Sequence, residues 1–213
     1  MEIRLGKHQL ELLPERAAWW PARRALLLAD VHLGKDQVFR RQGLAVPAGV
    51  VAQDLARIDA LIQRLRARRL LILGDWVHAP PAPDDDWPQQ IAAWRRTHPD
   101  LAIDLVLGNH DRDLSAWLPA WGIQARQEPW PLDGLCLVHA WQPNLDGPSV
   151  SGHLHPGIVL KSGRDRLRLP AFLAHDQHLV LPAFGRFTGL DDQTSFPVGR
   201  RYVIAGQRVM AAP

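Results

Sequence analysis

Five short apolar runs in this chain are each followed at once by residues able to ligate a metal. That recurrence constrains the fold more than any other feature of the sequence. Residues 25–29 (ALLLA) lead into Asp30 and His32, and residues 70–73 (LLIL) lead into Gly74 and Asp75. Residues 103–107 (IDLVL) lead into Gly108, Asn109, His110 and Asp111. Residues 135–138 (LCLV) precede His139, and a weaker run at 149–151 precedes Gly152, His153 and His155. Apolar runs this short, bounded by turn formers, read as buried strands. In open α/β sheets the reactive groups gather beyond the carboxyl ends of the strands. The pattern therefore predicts that five strand ends deliver Asp30, Asp75, one Asn and five His to one edge of the sheet.

The stretches between the runs complete an α/β first half. Residues 47–69 predict a helix with Pro47 at its start. Val51, Leu55, Ile58, Ile62 and Leu65 form one apolar face, with Arg57, Arg64 and Arg68 on a solvated opposite face. A second helix is expected after Asp85 or Asp86, with Pro88 in its first turn, and a short third one over 114–121, stopped by Gly122. The last fifty residues read instead as antiparallel hairpins at 166–172, 178–187 and 201–210, and residues 2–20 pair in the same way.

At 213 residues, 46% hydrophobic and 22% charged, the chain has the make-up of one globular domain, taken as 1–213. No apolar run approaches the roughly 20 residues of a membrane span. No basic-then-apolar leader opens the sequence, and the lone Cys136 has no intramolecular disulfide partner. A cytoplasmic location is the expectation. Cys136 has the opposite strand parity to His139 and is expected to point into the core. The net charge is +3, and Lys7, Lys35 and Lys161 are the only lysines among 25 cations. Arginine suits bidentate phosphate contact.

Oxygen and nitrogen donors without thiolate suit Mn, Fe or Zn at a hydrolytic centre. Alternation along a strand end would put Asp30 and His32 on one face, and His153 and His155 likewise. A carboxylate can bridge two ions through its two oxygens, so one Asp is expected to serve both. Gly74, Gly108 and Gly152 would let the backbone turn tightly at the strand ends.

The series Asp-x-His, Gly-Asp, Gly-Asn-His-Asp, His and Gly-His-x-His over residues 30–155 resembles the calcineurin-like metallophosphoesterase superfamily. The resemblance implies an α/β (α+β) fold: an αββα sandwich of two mixed β-sheets flanked by helices. It implies two divalent metal ions, Mn first and Fe or Zn next, one held by Asp30, His32, Asp75 and His155. The second would be held by Asp75, Asn109, His139 and His153, with Asp75 as the bridge. His110 would act on the phosphoryl group without ligating a metal. The segments LLADVHLGK, FRRQGLAVPAG, LILGDWVH, GNHDR, SGHLHP, RLRLPAF and LPAFGRFTG are similar to a bacterial branch of ligase-associated DNA damage response endonucleases. That similarity implies phosphodiester hydrolysis in DNA repair, beside a DNA ligase and helicase. Phosphoprotein phosphatases of the superfamily continue Gly-Asp-x-x with Asp-Arg, where this chain has His78-Ala79. The phosphate-gripping Arg is missing, and His78 and Asp111 are the candidates for orienting His110.

Further substrate contacts are expected from Lys35, Arg40 and Arg41, which follow the first ligand pair, and from Arg164, Arg166 and Arg168, which alternate on a strand. Trp76 and Trp141 adjoin site residues and could stack on a base, whereas His175 and His178 are expected to be exposed. Three functions compete: a two-metal nuclease acting on DNA, a small-molecule phosphodiesterase or phosphomonoesterase with the same metals, and a non-catalytic interaction module on the same fold. The complete ligand set and the retained His110 argue against the third.

Overall fold

A computed structural model describes residues 1–192 and 196–212. The first sheet has seven strands in chain order: β1 (Glu2–Leu5), β2 (His8–Leu13), β3 (Ala17–Trp20), β4 (Ala25–Leu28), β5 (Arg69–Leu73), β6 (Ala102–Val106) and β7 (Ile123–Arg126). β1 to β4 pair antiparallel, and β4 to β7 pair parallel. The second sheet comprises β8 (Trp130–Leu132), β9 (Leu135–Leu137), β10 (Ser149–Ser151), β11 (Gly157–Ser162), β12 (Asp165–His175), β13 (His178–Val180), β14 (Arg200–Ala205) and β15 (Arg208–Ala212). Its order is β15-β14-β12-β13-β10-β9-β8, with β11 hairpinned onto β12. The β9-β10 and β10-β13 pairs are parallel and the other pairs antiparallel.

The two sheets face each other across one apolar layer. Leu10, Leu12, Trp20, Leu27, Leu71 and Leu73 of the first meet Leu135, Leu137, Val150, Phe172 and Leu179 of the second. Three helices, α1 (Lys35–Arg41), α2 (Val50–Leu65) and α3 (Trp87–Arg96), leave the first sheet. α2 and α3 lay Leu55, Ile58, Ile62, Ile91 and Trp94 on its outer side, against Leu26, Leu28, Leu70, Ile72 and Leu105. Central strands buried on both faces need continuous apolar sequence, which is why ALLL and LLIL show no alternation. The sandwich of two mixed sheets is the expected one. Its helical cover stands on the first sheet, and the second sheet's outer face carries a small cluster of Leu173, Val180 and Phe196.

Several local expectations are corrected. The strands that end at the ligand-type residues belong to both sheets, β4, β5 and β6 to the first and β9 and β10 to the second. α2 runs only from Val50 to Leu65, because Arg66 adopts a left-handed conformation at its C-terminus. Arg57 is not solvated. It donates to Asp54 at 2.8 Å and to the carbonyls of Phe184 and Glu15 at 3.0 Å each, and lies over the Phe184 ring. Residues 114–121 form a chain of turns, since Pro119 has no N–H to continue a helical ladder. Cys136 is half-exposed, and Leu135 and Leu137 fill the core instead. His178 is half-buried and bonds Ser149 Oγ at 2.7 Å.

An acid inside a core strand needs an account. Asp104 of β6 is 3% exposed. Arg69 Nε from β5 donates to one of its oxygens at 2.8 Å, and Arg126 Nε from β7 donates to the other at 2.8 Å. Both guanidinium groups also lie over the Trp130 ring. Three adjacent strands are thus tied across the sheet by one carboxylate with both oxygens used. Asp104→Ala would leave two partly shielded cations facing each other, at a cost of about 2–4 kcal/mol. Chemical denaturation should show that loss. A change below about 0.5 kcal/mol, the size expected of an ordinary surface substitution, would mean the ion pairs contribute nothing net.

Candidate metal centre

The loops beyond β4, β5, β6, β9 and β10 meet at the sheets' common edge. Asp30, His32, Asp75, His153 and His155 all have positive φ, between 46° and 68°. Asp30 and His32 are therefore brought together by a left-handed loop and not by strand alternation, and the same holds for His153 and His155. Such conformations cost of order 1–3 kcal/mol each. They are held by backbone bonds between loops: Asp30 N–H to Gly74 O at 3.1 Å, His32 N–H to Asp75 O at 2.9 Å and Gly185 N–H to Asp30 O at 3.1 Å. Of the three glycines, only Gly74 needs its positive φ of 81°. Gly108 is needed for space, because a Cβ there would stand 2.3 Å from Asp75 Oδ1.

Two donor groups result. In the first, His155 Nε2 lies 3.4 Å from Asp30 Oδ1 and 3.5 Å from His32 Nε2, which is itself 3.7 Å from Asp75 Oδ2. In the second, His139 Nε2 lies 2.9 Å from Asn109 Oδ1, 3.0 Å from His153 Nδ1 and 3.6 Å from Asp75 Oδ1. The two oxygens of Asp75 thus face different groups. Each acid is also fixed from behind: His153 N–H donates to Asp30 Oδ2 at 2.8 Å, and His110 N–H to Asp75 Oδ1 at 3.0 Å. His139 gives its Nδ1 proton to the Leu73 carbonyl at 3.0 Å, which leaves Nε2 a bare lone pair.

These residues fit a divalent metal site. Asp30 Oδ1 is buried without a hydrogen-bond partner, and acceptor faces acceptor between Asn109 and His139. Lone pairs converging in this way call for a shared cation. Protons do not supply it at His32 and His153, since burial pushes both pKa values down, helped at His32 by Lys35 and the neighbouring imidazoles, to about 2, and at His153 by His139. Neutral imidazole is the form that ligates metals.

His110 stands beside both groups, its ring 5.0 Å from that of His32. Its Nδ1 donates to the His78 carbonyl at 2.6 Å, and the His78 ring stacks on it at 4.9 Å. Burial first, then Lys35 and His110, lowers the His78 pKa to about 4. His32, His78 and His110 form a third group of ring nitrogens within 4.8 Å of one another. Asp111 is buried and accepts from Gly108 N–H at 3.0 Å and Val77 N–H at 3.3 Å, tying the β5 and β6 loops together. Burial raises its pKa to about 6. The group that orients His110 is therefore the His78 backbone, while Asp111 shapes the loop.

Other expected contacts are placed elsewhere. Trp76 is fully buried in the helix-side core against Trp94 and is not available to stack on a base. Trp141 packs on Phe196 with ring centroids 5.1 Å apart, on the far side of the second sheet. Arg40 is taken by Asp36 and the Pro47 carbonyl, and Arg41 by Asp84 and Asp85. Lys35 is half-buried at the start of α1, where it feels the Asp75 carboxylate. Arg164 lies in the turn before β12, so the alternating strand arginines are Arg166 and Arg168 alone. Two residues carry no sequence signal and emerge from geometry. Glu128 accepts from His139 N–H at 2.7 Å. Exposed Arg112 lines a cavity of about 500 Å³ shared with Asn109, His139 and His153.

No helix among the described residues is long and apolar enough to cross a membrane. No family model and no curated relative matches the chain. Among solved structures, it is 39% identical to the Pseudomonas putida nuclease MPE, covering 100% of this chain and 99% of that one with a TM-score of 0.85. The E. coli phosphoesterase YfcE (15% identity, 88% and 96% coverage, TM-score 0.45) and Entamoeba histolytica Vps29 (12%, 88% and 96%, 0.36) are more distant. Full-length identity at that level to the Pseudomonas protein, together with the donor groups at the strand ends, places this chain in the calcineurin-like metallophosphoesterase family of metal-dependent phosphoester hydrolases.

Proposed function

We propose that the chain is a two-metal nuclease that hydrolyses phosphodiester bonds of nucleic acid. The observation that carries this is the Asp75 carboxylate, whose two oxygens face two separate donor groups. In this reading Asp30, His32, Asp75 and His155 hold one divalent ion, and Asp75, Asn109, His139 and His153 hold the other. Nitrogen and oxygen donors without thiolate favour Mn, with Fe or Zn next. The nucleic-acid substrate is supported by the full-length likeness to a nuclease. The resemblance to the ligase-associated branch supplies DNA repair as the setting.

When bound, the ions supply an activated water and neutralise charge on the phosphoryl oxygens. The protein's own part is preorganisation. Backbone N–H groups of His110 and His153 fix the orientation of Asp75 and Asp30, so little reorganises during the reaction. The bond from His110 Nδ1 to the His78 carbonyl fixes the ring and leaves Nε2 as the nitrogen not spent on it. A protonated Nε2 can then give its proton to the leaving oxygen, which in a nucleic acid is a poor leaving group.

A hydrolysis screen in Mn²⁺ tests the reading, comparing bis-p-nitrophenyl phosphate, p-nitrophenyl phosphate, cyclic nucleotides and labelled single- and double-stranded DNA. Turnover of diesters and of DNA is expected. Turnover confined to the monoester would overturn the nuclease assignment. Elemental analysis should find two ions in the wild type and lower occupancy of both in Asp75→Asn, because an amide offers one good donor atom. One tightly held ion that survives the substitution removes the bridge. His110→Ala should keep both ions and lower kcat by about 10²–10⁴-fold, the usual contribution of a positioned acid. The loss should be smaller for a nitrophenolate leaving group than for an alkoxide. An equal loss with both would make His110 a stabiliser of the phosphoryl oxygens, and loss of an ion would make it a ligand.

A further inference from the structure

The β11–β12 hairpin stands clear of the rest of the second sheet. β14 joins β12 only from Ala171 onward and β13 only from Leu173, so among the described residues 165–170 pair with β11 alone. A two-stranded ribbon is marginal in water unless something covers it. The register sorts its side chains. Ile158 is opposite Leu169 and Leu160 opposite Leu167, which makes one face apolar, and Leu160 and Leu167 are 40% and 56% exposed there. The other face has Val159 opposite Arg168, with Arg166 on the same side. Val159, Arg166 and Arg168 line a cavity of about 500 Å³ together with Asp192 and Arg201. Arg168 is partly neutralised, donating to Asp192 at 3.1 Å and to the Leu190 carbonyl at 3.3 Å. Arg166 and Arg201 are exposed and have no carboxylate partner among the described residues. The cavity is therefore positive, and the face behind it is apolar.

The outer edge of β11 completes the picture. Pro156 O accepts Ala171 N–H of β12 at 3.0 Å, whereas Gly157 N–H points the other way, to Asp191 O at 2.7 Å. Alternation then turns the N–H and C=O of Val159 and Lys161 outward too, and among the described residues no backbone group pairs with them. β11 reads GIVLKS, with no proline to blunt this edge and Lys161 as its one charge. A strand laid along it would bond to those outward groups and send alternate side chains to the two faces. One row would cover Ile158 and Leu160, and the other would enter the positive cavity over Val159. A second copy paired edge to edge would set arginine beside arginine, which repels. A nucleic acid would neutralise the arginines but leave the leucines and the edge amides without a partner. We propose that β11 is a docking edge for an extended segment of a partner protein in which acidic and apolar residues alternate, its acidic row facing Arg166 and Arg201.

The test is fluorescence anisotropy with a labelled peptide of alternating Glu and Val. It should bind saturably. A peptide of the same composition with its Glu and Val in separate blocks should bind about tenfold more weakly, since only alternation serves both faces. Val159→Pro removes an outward N–H without touching the bonds to β12. It should weaken the alternating peptide about tenfold while hydrolysis of bis-p-nitrophenyl phosphate stays unchanged, which shows that the fold is intact. The double variant Arg166→Glu/Arg201→Glu should weaken it by about tenfold or more, because like charge then faces like charge. Hydrogen exchange supplies a readout that needs no variant: the Val159 and Lys161 amides of the wild type should gain protection when the peptide is bound. Equal binding of the two peptides, unchanged affinity in Val159→Pro, or unchanged exchange at those amides under saturation would overturn strand addition. A wild type that ignores the peptide but binds a single-stranded oligonucleotide, with that affinity lost in the double arginine variant, would also overturn the proposal and assign the cavity to nucleic acid.

Discussion

The Asp75 carboxylate is the contact on which the rest of the arrangement turns. Its Oδ2 faces His32 and its Oδ1 faces His139, so loops from both sheets must converge on one side chain. That convergence fixes much else. Gly108 has to lack a side chain because Asp75 occupies the space. His110 N–H is spent on Asp75 Oδ1 and leaves only its ring free for chemistry. His139 must turn its Nδ1 to the end of β5, at Leu73, for Nε2 to face inward.

Holding five non-glycine residues in the left-handed region works against folding, and the layers on either side supply what offsets it. β4, β5 and β6 are buried on both faces, between the α2–α3 layer and the second sheet. Asp104 clamps β5, β6 and β7 from within. Full burial of each Leu or Ile side chain there contributes about 1.5–3 kcal/mol, so a handful outweighs the local strain. A rigid scaffold with strained loops at its edge is the ordinary way to place several ligands within a few ångströms of one another.

The sequence made the donor set legible because ligand chemistry is confined to few residue types and those types followed each apolar run. The five strands that precede the donors, the helix starting at Trp87 and the terminal hairpins were legible for the same local reasons of pattern and punctuation, whereas β7, β8 and β11 were not. What brings Asp30 and His32 together was not, because a left-handed Asp or His has no signature in its neighbours. Trp76 adjoins Asp75 in sequence yet points into the core, since successive residues leaving a strand face different layers. Arg57 looked solvated by helical periodicity. Its partners, Asp54 aside, are carbonyls at Glu15 and Phe184, far away in the chain. Arg112 and Glu128 likewise acquire meaning only from what the fold sets beside them.

The loop after β5 shows how one substitution pattern redistributes a task. Where the phosphoprotein phosphatases resembled in sequence carry an Asp-Arg pair, this chain has His78-Ala79. The His78 carbonyl receives the His110 Nδ1 proton, and its ring stacks on His110 in place of an orienting carboxylate. A carbonyl fixes the tautomer and direction of the imidazole without adding a negative charge beside it. The loop therefore aims His110 but offers no cation to a phosphate. Lys35 is half-buried at the start of α1, and Arg40 and Arg41 are engaged by acids. The exposed cation that shares a cavity with donor residues is Arg112, beside Asn109, His139 and His153.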